Sequence, residues 1–155
     1  MARVKTNFSA AKKDIERFRR QGKAVLKDLY EKEITESIER GVSPVKGQGR
    51  FVQYSESYKD EIRAGRFRDL GKRIRPVNLK LTGELLKSLI VKVTNKGIKI
   101  SFDNKLANIH NKEGAGKSKT VRRLLPTEDG EEFNRSITIR AREALNRIAS
   151  NIFKR

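Results

Sequence analysis

The 155-residue chain carries 37 Lys and Arg against 19 Asp and Glu, which gives a formal net charge of +18. This charge opposes compaction and self-association until an anionic partner, nucleic acid or an acidic protein surface, neutralises it. The absence of Cys excludes disulfides, zinc–thiolate sites and Cys nucleophiles. The length fits one domain, residues 1–155. We expect no membrane contact and no secretory signal, because no apolar run is long enough for either.

The first predicted element is a long helix over residues 8–40. Apolar residues recur every three or four positions from Phe8 onward, so one stripe of the helix faces a partner. Ser9 is the expected N-cap and Gly41 the expected C-terminal stop. Gly22 interrupts the pattern and would allow a bend.

Residues 42–81 are predicted to form an extended arm. Prolines and glycines interrupt the hydrophobic pattern, and only residues 54–64 favour one or two helical turns. Irregular segments of this length are usually functional or disordered.

Residues 82–125 are predicted to form a short helix, a β-hairpin and a small sheet built on it. Thr82 is placed to cap a helix that ends near Ser88. The two runs on either side of Asn95-Lys96-Gly97 alternate apolar and polar residues, which predicts an antiparallel hairpin.

After the hairpin, the pattern predicts a helical turn, a mobile loop, a strand and a final helix. The turn covers residues 104–110, the polar loop 111–120 and the strand 121–125. The helix covers 129–153, capped by Thr127 or Asp129. Its apolar stripe packs on the sheet, so the predicted fold class is α+β.

Three constellations could suggest chemistry, and each has a simpler explanation. Gly116-Lys117-Ser118 ends like a phosphate-binding loop, but Asn111 occupies the first Gly position and no helix follows to hold phosphate. His110 is the only His, and without Cys it makes a poor metal ligand set. The carboxylates over 128–132 favour a helix start over acid–base catalysis. We predict no enzyme activity, no cofactor and no metal.

The basic residues are the remaining candidates for function. Contact with phosphate requires only Lys and Arg on a surface, whereas base readout requires a recognition helix, a zinc module or exposed aromatics, which are not evident. A solvated basic surface without a partner is the alternative. The candidate interface or DNA-lumen residues are Arg63, Arg66, Arg68, Lys72 and Arg73 in the arm, and Lys117, Lys119, Arg122 and Arg123 beyond the hairpin.

Three segments, in their order along the chain, carry a family resemblance. They are Gly41-Val42-Ser43-Pro44-Val45, the run from Leu81-Thr82-Gly83-Glu84 to Leu89, and Ala107-Asn108-Ile109-His110-Asn111 with the later Arg122-Arg123-Leu124-Leu125-Pro126. Together they resemble the neck and tail-completion proteins of tailed bacteriophages, a group that includes the virion morphogenesis and head–tail connector proteins.

The resemblance implies a structural role in the neck of a virion, after assembly in the host cytoplasm. It implies a homo-oligomeric ring, six-fold or twelve-fold, that contacts a portal or adaptor protein on one side and a tail terminator or tail tube protein on the other. Residues 63–75 of the arm and residues 111–123 would make inter-subunit, tail-facing or lumen contacts, with non-specific contact to passing DNA. The alternatives from other classes are a sequence-independent basic nucleic-acid-binding protein and a small nuclease, for which we find no metal site.

Overall fold

A computed structural model describes residues 2–79, 83–127 and 130–153 of the chain, with side chains from residue 8 onward. The fold is α+β, as predicted: a long N-terminal helix, a two-stranded antiparallel sheet, and a C-terminal helix that packs on both. The elements are α1 (Ala2–Glu39), α2 (Glu56–Arg63), a 3-10 turn (Arg68–Leu70), α3 (Glu84–Lys87), β1 (Leu89–Thr94), β2 (Gly97–Phe102), α4 (Lys105–Asn108), a π-helical turn (Ile109–Glu113) and α5 (Arg135–Phe153).

Helix α1 begins earlier than predicted and ends where predicted. It starts at Ala2, so Ser9 lies inside the helix and does not cap it. At the other end Gly41 adopts φ 74°. Its N–H donates to Ile38 at 3.0 Å and that of Val42 donates to Ser37 at 2.9 Å, the paired pattern of a Schellman cap. The helix is continuous through Gly22.

Helix α5 runs antiparallel to α1 and begins at Arg135, six residues later than predicted. The preceding chain is held extended because Phe133 pairs with Val45 in an isolated β-bridge and the Asn134 N–H donates to Pro44 at 2.8 Å. The expected cap at Thr127 is therefore wrong, and Asp129 lies outside the described residues.

The hairpin is confirmed, with Leu89 opposite Phe102 and Thr94 opposite Gly97. The sheet of the described residues has these two strands, and the strand expected over 121–125 is wrong. Those residues bond elsewhere: the backbone N–H groups of Leu124 and Leu125 donate to the side chain of Asn111, at 2.6 and 3.0 Å.

The arm differs from the expected extended segment, although the helical turns expected within it are present as α2. Much of it folds back on the body of the molecule, because four apolar side chains of the segment are buried in the core: Phe51, Tyr54, Val77 and Leu79. The arm is thus part of the folded unit. Residues 80–82, including the predicted cap Thr82, lie outside the described residues.

The main core lies between the C-terminal half of α1, the arm, and the residues after the hairpin. Ile34 and Ile38 of α1 are fully buried there, together with Leu124. Within the described ranges, no helix is long and apolar enough to cross a membrane.

Candidate functional site

Two of the arm cations predicted to form an interface are exposed and already paired with carboxylates. Arg63 lies 2.5 Å from Asp60, and Arg66 lies 2.7 Å from Glu61. Both pairs are on the surface, where an ion pair contributes little to stability. These two side chains therefore bring little unneutralised positive charge to a partner.

Four of the nine candidates are exposed and form no ion pair with a described residue. Arg68 and Arg73 lie in the arm after α2, and Lys117 and Lys119 lie on the turn between residues 115 and 120. That turn is closed by two backbone hydrogen bonds between Ala115 and Thr120, at 2.8 and 3.0 Å. These four cations are the available positive charge of the predicted interface.

Lys72, in contrast, points into a partly buried aromatic cluster. Its ammonium lies 4.7 Å from the ring centroid of Tyr54 and 5.6 Å from that of Tyr58. Burial, assisted by the charge of Arg122, lowers the pKa of Lys72 to about 8. The two aromatic faces stabilise the cation where it has lost water.

Arg122 is buried rather than exposed, with 6% of its surface accessible. Its guanidinium donates to the backbone oxygens of Val52 and Gln53, at 3.2 and 3.3 Å, and lies 5.4 Å from the ring centroid of Tyr54. Burial lowers the pKa of Arg122 and raises that of Tyr54 to about 12. The side chain therefore fastens the arm to the body instead of facing a partner.

Arg123 is also a structural residue. Its guanidinium donates to the backbone oxygen of Asn111 at 3.2 Å and to Thr127 at 2.8 Å, and it lies 3.7 Å from Glu131. Glu131 thus pairs with an arginine and does not lie at the start of a helix, which corrects the helix-dipole explanation for the carboxylates. Its neighbour Glu132 likewise pairs with Lys46, at 2.7 Å.

His110 lies beside this group of cations. Burial, followed by the charges of Arg122 and Lys72, lowers the pKa of His110 to about 4, so the imidazole is neutral near pH 7. Its Nδ1 is buried and has no hydrogen-bond partner among the described residues. Within the described ranges, His, Asp and Glu form no group of three that could hold a metal ion.

Asn111 was expected in a mobile loop, but it is 5% exposed and its side chain supports residues 124 and 125. The π-helical turn that carries it continues directly from α4. Gly116-Lys117-Ser118 lies on the closed turn after it, and irregular chain follows where a phosphate loop would have a helix. The polar composition of the segment hid the structural role of Asn111.

Sequence reasoning also missed a cleft at the C-terminal end of α1. Arg40, Arg50 and Arg75 all line it, although they are far apart in sequence. Each lies next to a glycine or a proline in the sequence, namely Gly41, Gly49 or Pro76. That shared neighbourhood is the only signal by which the sequence could have grouped them.

Comparison with known proteins finds no matching family model, no matching curated protein and no matching solved structure.

Proposed function

We propose that the chain is a structural subunit of a bacteriophage head-to-tail connector ring. In this role the ring joins the portal side to the tail and lines the DNA passage, and no substrate is turned over. The order of the three resembling segments suggests this class. One structural observation supports assembly into a larger object: none of the side chains of residues 8–17 in α1 is buried within the described part of the subunit.

This part of the helix comprises residues 2–17 of α1, which we call the N-terminal extension. Phe18 packs against Phe153, the last described residue of α5, with ring centroids 5.8 Å apart. Because the two helices are antiparallel, the residues before Phe18 extend past α5. At roughly 1.5 Å per residue, they reach about 24 Å beyond it.

The apolar stripe of α1 continues into the N-terminal extension, where its described side chains are exposed. No residue between 8 and 17 is buried, and Phe8 and Ile15 are 79% and 45% exposed. An isolated helix of this length is marginal in water, and most helices in proteins are stabilised by packing of one face. A neighbouring subunit or ring component would supply that packing.

The exposed cations fit a wall beside DNA. Arg68, Arg73, Lys117 and Lys119 carry charge that no described carboxylate neutralises. Such side chains attract phosphate weakly and without regard to sequence, which suits a strand that must slide past.

Quantitative mass spectrometry of purified virus particles tests the proposal directly. We expect a fixed copy number per particle equal to one ring, six or twelve copies under the family resemblance. Absence of the chain from particles that do contain portal protein would refute the connector role.

A pair of double variants tests whether the N-terminal extension is an assembly contact. Phe8→Ser with Ile15→Ser should reduce incorporation into particles at least tenfold while leaving the stability of the isolated subunit within about 0.5 kcal/mol, because both side chains are exposed. The matched control is Val52→Ser with Leu106→Ser, which alters side chains that are 58% and 53% exposed elsewhere on the surface. Equal incorporation of the two double variants would count against the N-terminal extension as an assembly contact.

The second candidate is a sequence-independent nucleic-acid-binding protein, and the net charge of +18 favours it. It predicts tight binding to duplex DNA or RNA with an affinity that falls steeply with salt. A flat salt dependence would exclude it. Tight binding by a chain that is absent from particles would select it over the connector.

A further inference from the structure

We infer that the cleft lined by Arg40, Arg50 and Arg75, the three-arginine cleft, is a binding site for a phosphate group. The cleft has a volume of about 470 Å³, and its other lining residues are Gly41, Phe51, Gln53, Pro76 and Val77. This volume lies within the range of roughly 300–1,000 Å³ that is common for small-ligand sites. The inference stands apart from the connector proposal, since it needs neither a ring nor a tail.

The walls of the cleft are fixed by the fold. The Phe51 N–H donates to the Gly41 oxygen at 2.8 Å, and Val42 pairs with Arg50 in an isolated β-bridge. The cleft has three walls: the end of α1, residues 50–53 and residues 75–77. The side chains of Phe51 and Val77 are 5% and 2% exposed, so burial in the core holds the second and third walls in place. The concavity therefore exists before any ligand arrives, which reduces the cost of ordering on binding.

The contact between the end of α1 and the Arg75-Pro76 segment depends on Gly41. A Cβ atom at this position would lie 2.7 Å from the Cβ of Pro76 and 3.0 Å from the Val77 oxygen. Only a residue without a side chain lets the end of α1 approach the Arg75-Pro76 segment this closely. The approach brings Arg40 and Arg75 to the same cleft.

The charge of the cleft is entirely positive. No Asp or Glu of the described ranges lines it, and none of its three arginines forms an ion pair with a described residue. Arg63, Arg66 and Arg140, in contrast, are each paired with a carboxylate. A cleft lined by one sign of charge focuses the electrostatic field and concentrates ions of the opposite sign.

Two further features favour an anion there. Arg122 donates to the backbone oxygens of Val52 and Gln53, so a fourth cation lies against the wall that Gln53 forms. Three carbonyl oxygens at the end of α1 already accept hydrogen bonds, so they repel an anion less than free ones would: those of Glu36, Ser37 and Ile38 accept from Arg40 Nε, the Val42 N–H and the Gly41 N–H, at 3.2, 2.9 and 3.0 Å.

Guanidinium groups match phosphate in particular. Each presents a planar fork of N–H donors that binds phosphate oxygens in pairs, and arginine keeps its charge at all working pH values. Three forks on different walls can surround one tetrahedral group, which a single surface lysine cannot do. The phosphate could belong to a free phosphorylated anion or to the backbone of a nucleic acid.

The test is a calorimetric titration of the full chain in magnesium-free buffer, first with inorganic pyrophosphate and then with a single-stranded oligonucleotide. Arg50→Gln and Arg75→Gln should each weaken pyrophosphate binding at least tenfold. Arg142→Gln is the matched control: it removes the same charge from an exposed arginine of α5 that forms no ion pair with a described residue and does not line the cleft. Its affinity should stay within twofold of the parent chain. Thermal unfolding of each variant verifies that it is folded.

The oligonucleotide identifies the source of the phosphate. Competition with pyrophosphate, lost in the two cleft variants, supports a nucleic-acid backbone in the cleft. Oligonucleotide binding that ignores the cleft variants, while pyrophosphate binding is lost, supports a free phosphorylated anion. Two results would overturn the inference: pyrophosphate that fails to saturate at one site, or an Arg142→Gln variant that loses as much affinity as Arg50→Gln.

Discussion

Substitution of Gly41 by Ala should destabilise the protein through two separate effects. Gly41 has φ 74°, a left-handed conformation that costs an L-residue about 1 kcal/mol. The new Cβ would also lie 2.7 Å from the Cβ of Pro76 and 3.0 Å from the backbone oxygen of Val77. Forcing such a contact apart in a packed region costs about 1–3 kcal/mol. The expected loss is therefore about 2–4 kcal/mol, out of a total that is typically about 5–15 kcal/mol.

Gly47 provides the control that separates the two effects. It has φ 81°, and a Cβ there would meet no atom within 4 Å. Gly47→Ala should therefore lose only the conformational part, about 1 kcal/mol.

Urea denaturation followed by far-ultraviolet circular dichroism measures both variants. We expect an unchanged dependence on urea concentration and a lower midpoint, with the larger shift for Gly41→Ala. Equal losses in the two variants would refute the argument that close approach of the Arg75-Pro76 segment requires glycine at position 41.

Three further predictions concern the interior. The single His110 should titrate by nuclear magnetic resonance with a pKa near 4, so that stability falls as pH drops from 6.5 towards 4; a measured pKa of 6.5 would contradict its burial. Lys72→Met should remove a rise in stability between pH 8 and 10.5, since unfolded chains keep a proton there that folded Lys72 has lost; a parallel pH profile would contradict this. Asn111→Ala leaves the N–H groups of Leu124 and Leu125 unpaired and should cost about 1–3 kcal/mol in urea denaturation, whereas a loss no larger than that of an exposed substitution would argue against the role of Asn111.

The sequence predicted those elements whose signals are local. The hairpin depends on alternation within a few residues and a two-residue turn, and α1 depends on a stripe that repeats over many turns. Gly41 ended α1 as expected because a C-terminal cap needs only the adjacent backbone. The start of α5 was misplaced because a distant residue, Val45, holds the preceding chain extended.

The candidate interface was harder to predict, because charge alone does not tell an exposed arginine from a buried one. Arg122 and Arg123 lie a few residues after the exposed Lys117 and Lys119, yet both point inward to backbone oxygen atoms of other segments. The three-arginine cleft was missed for the same reason, although its arginines are exposed. Its arginines come together only when the end of α1 meets two separate parts of the arm, around Arg50 and around Arg75.

The contact between Gly22 and Leu145 sets the reach of the molecule. A Cβ on Gly22 would lie 3.2 Å from Cδ2 of Leu145, so the leucine packs into the space beside the glycine that a side chain would fill. Farther along the same pair of helices, Arg140 forms an ion pair with Glu33. The two contacts together fix the register of α1 against α5. Sliding α1 by one turn along α5 would break both contacts and move the N-terminal end of α1 by about 5.4 Å. The packing of Leu145 beside Gly22 thus fixes how far the N-terminal end of α1 extends, and every copy of the subunit would present that end at the same distance.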